Sequence, residues 1–110
     1  MKLTCTVICL SLFTFQGVTA NVSSAKVKEL MLDRNHGEKV FIKLDKHQAP
    51  AISCHTNDWG YVLDISDSLG KTIYSSLLTT YATGKSINFV GSGSCSLYPN
   101  IETLRRVELI

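Results

Sequence analysis

Proline is scarce in this sequence, with two residues in 110, and charged residues make up only 18%, below the quarter or so typical of globular chains. The charges that exist have no bias. Without Lys2, ten basic residues face nine acidic ones, and no block of like sign occurs. Nucleic-acid binding asks for a basic stripe; the densest basic groups here, Lys39/Lys43/Lys46 and Arg105-Arg106, read as solvated strand faces. Repeats, low-complexity tracts and Pro-rich linkers are missing, so no array or tethered second domain is expected. Beyond the first twenty residues no apolar run approaches the roughly 20 residues a spanning helix needs.

Sites with chemistry are missing too. The histidines His36, His47 and His55 have no metal-ligand spacing to a partner, and Cys-x-x-Cys and His-Glu-x-x-His are absent. Nothing such as Gly-x-Ser-x-Gly marks a nucleophile. Cys54-His55 sets a thiol beside a base, but adjacency in sequence is not reach. The expectation is therefore a non-enzyme without catalytic residues, cofactor or metal.

What is present begins with an address. Lys2 supplies a short positive region, residues 3–15 form an almost uncharged apolar stretch, and Val18-Thr19-Ala20 gives a small-residue cleavage pattern. Residues 1–20 are read as a secretory signal removed after Ala20, and residues 21–110 as a single exported domain, periplasmic or extracellular. Two of the four cysteines, Cys5 and Cys9, leave with the signal. The remaining pair, Cys54 and Cys95, is expected to form a disulfide in an oxidising compartment. So small a domain benefits from such a staple.

Apolar periodicity gives the elements. Residues 26–34 are compatible with a first strand, with Leu30 and Leu32 on one face and Glu29, Met31 and Asp33 on the other. A turn at 35–38 leads to a second, in which Val40, Ile42 and Leu44 alternate with Phe41, Lys43 and Asp45. Residues 45–57 read as a loop, and residues 59–65 as a third strand. The period then changes. Ile73, Tyr74, Leu77, Leu78 and Tyr81 fall on one stripe of a helix over 72–82, and Gly84 sits where a left-handed cap is wanted. Strands are expected again at 86–90 and at 104–110, the last with Val107 and Leu109 inward. The fold class is mainly β with one helix. The order β-β-β-α-β-β is that of a small five-stranded barrel, the oligonucleotide/oligosaccharide-binding fold (OB-fold), here with one disulfide.

The segment Tyr74-x-x-Leu77-Leu78-x-x-x-x-Ala82-x-Gly84-Lys85-x-Ile87-x-Phe89-x-Gly91-x-Gly93-x-Cys95 resembles the helix, strand and second cysteine of secreted OB-fold proteins related to the B subunit of subtilase cytotoxin. The resemblance implies a receptor-binding subunit: a homo-oligomer, a ring of five copies, carrying a separate catalytic toxin chain and docking on a cell-surface glycan. Sugar recognition needs an aromatic face for the apolar side of a pyranose, beside carboxylates and amides for its hydroxyls. Asn57, Asp58, Trp59 and Tyr61 supply these types within five residues. Ser94 and Tyr98 belong to a second polar and aromatic loop. The plainer reading of both segments is core aromatics and turns. The alternative function is a monomeric periplasmic or extracellular OB-fold protein that binds a peptide, an envelope component or a small ligand.

Overall fold

The computed structural model describes residues 19–110; the expected signal lies outside them except for Thr19 and Ala20. Six strands and one helix follow in the order β1 (Asn21–Ala25), β2 (Val27–Met31), β3 (Lys39–Leu44), β4 (Tyr61–Asp64), α1 (Ser68–Thr83), β5 (Ile87–Gly91) and β6 (Leu104–Glu108). They form two antiparallel three-stranded sheets, β1-β5-β6 and β2-β3-β4. This corrects the expectation of five strands in a closed barrel. The extra strand precedes the one the sequence indicated, and it is a kink that separates the two. Ser24 adopts a left-handed φ of 55°, which takes its N–H out of the ladder, and Asn88 Oδ1 accepts that N–H at 2.8 Å. The β1–β5 register shifts at this point. Ala25 still pairs with Ile87 of β5. At Lys26, two residues after Ser24, the chain has moved to the other sheet, where Asp45 Oδ1 accepts from the Lys26 N–H and the Lys26 carbonyl accepts from the Asp45 N–H.

The sheets meet through one core. Val40, Ile42 and Leu44 of β3 and Tyr61 and Leu63 of β4 pack with Val22, Ile87, Phe89 and Leu104 of the other sheet. Tyr61 and Phe89 stack, with ring centroids 6.1 Å apart. Each such side chain contributes about 1.5–3 kcal/mol on leaving water. A single parallel bridge, Val62 to Thr103, links the end of β6 to β4.

Helix α1 closes one side. The Asp67 side chain caps it by accepting from the Gly70 N–H at 2.6 Å, and Gly84 ends it in the left-handed conformation, as the sequence indicated. Its inward stripe is Gly70, Ile73, Leu77 and Thr80. A side chain at position 70 would overlap the Asp64 carbonyl, so the helix seats on β4 only through glycine. The expected stripe is thus rotated: Tyr74 is half-buried, while Leu78 and Tyr81 are exposed. Leu109 was expected inward and is also exposed, because β6 stops at Glu108; Leu32, expected in the first strand on the face of Leu30, lies past the end of β2 at Met31 and is exposed. No helix among the described residues is long and apolar enough to cross a membrane.

Cys54 and Cys95 are bonded, with their Cα atoms 6.1 Å apart. The bond ties the long loop between β3 and β4 to the loop between β5 and β6.

Candidate functional site

Strand β3 has two buried faces. Behind Val40 and Ile42 lies the main core; on the opposite face Phe41 forms a second small cluster with Val62 and Ile101. Phe41 is the hub of an aromatic group. Tyr98 meets it edge-on at 4.9 Å, His36 at 5.1 Å and Trp59 at 6.2 Å, and His36 and Tyr98 touch each other at 5.2 Å. Edge-to-face pairs of this kind contribute about 0.5–1.5 kcal/mol beyond area burial. Trp59 and Tyr98 come from segments about forty residues apart in sequence, yet both reach solvent at the margin of this cluster.

Their loops are fixed from below. Asn57 Oδ1 accepts the Trp59 N–H at 3.0 Å, a side-chain turn that presents the indole. The Thr56 N–H donates to the Asn100 carbonyl at 3.0 Å, and the Glu102 N–H donates to His55 Nδ1 at 3.0 Å. With the Cys54–Cys95 bond, three cross-links join the two aromatic loops within a few residues of each ring.

One cation lies over the indole. Lys43 Nζ lies 4.7 Å from the centre of the Trp59 ring and 3.7 Å from Glu29 Oε1; a cation over an aromatic face contributes about 0.5–1 kcal/mol at an exposed site. Beside it a depression of about 270 Å³ is lined by Lys28, Lys43, Leu44, His47 and Asp58. It offers cationic donors, a carboxylate acceptor and an apolar edge in one concavity.

The sequence candidates therefore divide. Asn57, Asp58, Trp59 and Tyr98 fall on the aromatic face or its supporting loop. Ser94 lies on the surface in a chain of hydroxyls, 3.4 Å from Ser92 Oγ and 3.2 Å from Ser96 Oγ. Tyr61 points the other way: it is fully buried in the main core, and its hydroxyl donates to the Ala20 carbonyl at 2.6 Å. It opens β4, whereas Trp59 lies in the loop before that strand, so the i, i+2 rule that would put both on one strand face does not apply to them. Its burial, and next the Glu102 carboxylate, push the phenol well above the usual tyrosine range.

Sequence reasoning assigned Lys43 to a solvated face and left His36 in a turn with no ligand partner, whereas Lys43 stacks on Trp59 and His36 joins the aromatic group. The period-two position of Phe41, between Lys39 and Lys43 on one face, was the available signal for a second buried face. Glu102 was missed outright. It is fully buried between strands, and a Cβ at position 91 would overlap its carboxylate; a glycine inside a strand is the pointer to such a close approach. His55, half-buried beside it, has its pKa lowered by burial against the raising influence of Glu102, so it is neutral as a hydrogen-bond acceptor. Among the described residues no group of three metal-ligating side chains converges.

Comparisons with known protein families, with characterised proteins and with solved structures return no match to this chain. The functional reading rests on the geometry.

Proposed function

We propose that the chain is an exported, non-enzymatic module that binds a carbohydrate through the Trp59 face. The observation that carries this reading is the pairing of a solvent-reaching indole with the Lys28, Lys43, His47 and Asp58 depression at its side. The aromatic face packs against a pyranose, Asp58 accepts from sugar hydroxyls, and the two lysines donate to hydroxyls or to an anionic substituent. Tyr98, coupled to Trp59 through Phe41, extends the platform.

In this reading the two sheets are halves of an OB-like barrel. Strands β1 and β2, separated only by Lys26, act as one bent strand shared by both sheets, which restores the five-strand count, and the Val62–Thr103 bridge marks the seam. That arrangement, with the motif from Tyr74 to Cys95, supports a binding subunit like those of the subtilase cytotoxin class. A homo-oligomer, five copies in that class, is supported by the outer face of α1, where Tyr74, Leu78 and Tyr81 follow at i, i+4 and i+7, with Tyr81 52% exposed. A separate catalytic chain then supplies any chemistry on the target.

The test is a glycan array probed with the oxidised protein, beside its Trp59→Ala variant and with the solution mass measured by light scattering. Binding of a defined glycan class that Trp59→Ala reduces at least tenfold, in a variant with unchanged circular dichroism, is the expected result. A chain that binds no glycan above background overturns the reading, and a monomeric mass removes the ring.

A further inference from the structure

Glu102 is the fully buried carboxylate of the described residues, and it has no cation. Oε2 accepts from the Ala20 N–H at 3.2 Å and the Gly93 N–H at 2.9 Å, while Oε1 has no partner among the described residues. The ion pairs present, Lys43 with Glu29 and Arg106 with Glu108, lie elsewhere. His55 is already engaged, its Nδ1 accepting from the Glu102 N–H. An ionised carboxylate held away from water costs several kcal/mol unless it is paired.

Ala20 is the other half of the puzzle. It is 3% exposed, its N–H donates to Glu102, and its carbonyl accepts from Gly91 N–H at 3.2 Å and Tyr61 hydroxyl at 2.6 Å. Removal of the signal after Ala20 would discard all three bonds and strand the Tyr61 hydroxyl in the core, and a buried polar group left without a partner is destabilising. Gly17-Val18-Thr19 offers the same small-residue pattern one position earlier.

We infer that the signal is cut between Thr19 and Ala20, and that the α-ammonium created there is the missing cation of Glu102. Water supplies the balance in this hydrolysis by a signal peptidase. The Thr19–Ala20 amide C–N bond breaks, oxygen goes to the Thr19 carboxylate, and the nitrogen leaves as an ammonium. That nitrogen already lies 3.2 Å from Oε2, and it gains the hydrogens with which to reach Oε1. Glu102 is thus a receptor within the fold for the chain's own new terminus, and the cut completes the core rather than trimming a free end. The inference rests on the export reading.

The terminus and the ion pair are tested separately. Export from a bacterial host followed by intact mass and N-terminal sequencing is expected to give Ala20 as first residue. A first residue of Asn21 overturns this proposal and leaves export standing, whereas a chain that keeps residues 1–19 overturns export and the cut with it. A chain begun at Ala20 by release from a cleavable fusion then tests the pair whatever the export result. Its α-amino group is expected to titrate at least about one unit above the usual 7.7–8.0, with Glu102, neutral His55 and the Tyr61 hydroxyl as the ionisable groups around it. Glu102→Gln is expected to return that value to normal. Retaining Thr19 moves the ammonium one residue away and is expected to do the same, which serves if Glu102→Gln does not fold. A normal value in the Ala20-begun chain with Glu102 intact overturns the ion pair.

Discussion

At residue scale the molecule is tightest where strand β5 passes the Glu102 carboxylate. Only a glycine fits at position 91, because any Cβ would occupy the space of that carboxylate. Gly91→Ala is expected to cost about 3 kcal/mol, the upper end for overpacking a core. Urea unfolding of the single variant and of Gly91→Ala with Glu102→Ala checks the cause, since the double variant should lose much less than the sum of the two. Beside it, the neutral His55 acceptor gives a pH signature. Its folded pKa lies below its unfolded one, so between the two values the unfolded chain binds more protons and stability falls as pH falls. The melting temperature is expected to drop as pH is lowered below about 6.5, the ordinary histidine value. His55→Asn, which offers Oδ1 as acceptor but does not titrate, should flatten that dependence; an unchanged slope would assign it to another group. Apart from the glycine at position 91, nothing in the sequence pointed here, where Glu102 sits in a polar stretch before a basic pair. A side chain buried by a partner eleven residues upstream leaves no periodic trace.

Elements were more legible, and unevenly so. Helix α1 announced itself through its change of period and through Gly84, but the expected start at residue 72 missed its first turn, Ser68 onward, and the Asp67 cap before it. Asp67→Ala is expected to lower stability by about 1 kcal/mol, read as a shift in urea midpoint, with the fold intact. The facing of the helix was misjudged because two aromatic residues and Leu78 widen the apparent apolar stripe, whereas the surface that fits β4 is the narrower one of Gly70, Ile73, Leu77 and Thr80. The strand break at Ser24 was illegible for a different reason. Serine has no intrinsic preference for positive φ; the conformation is held by a distant asparagine, Asn88, which local pattern cannot supply.

On the scale of the whole molecule, the candidate site was half legible. Residue type picked out Trp59 and Tyr98, but not that Phe41 joins them, nor that Tyr61 belongs to the opposite face, since neither fact follows until β3 and β4 are paired. The disulfide was the long-range contact the sequence did supply. It closes a loop of sequence separation 41, for which chain entropy gives about 4 kcal/mol. Replacing Cys54 and Cys95 by serine is expected to lower unfolding free energy by about that amount in denaturant titrations. A loss well under 1 kcal/mol would mean that the fold holds these loops without the bond.

The position of that bond has a consequence for where the protein can work. It joins the two loops that carry Trp59 and Tyr98, so the face proposed above for glycan binding has its full set of braces where thiols are oxidised. A copy still in the reducing interior of the cell that made it would carry the right residues on loosely held loops. Under the glycan proposal, such a copy would bind sugars more weakly than the oxidised one.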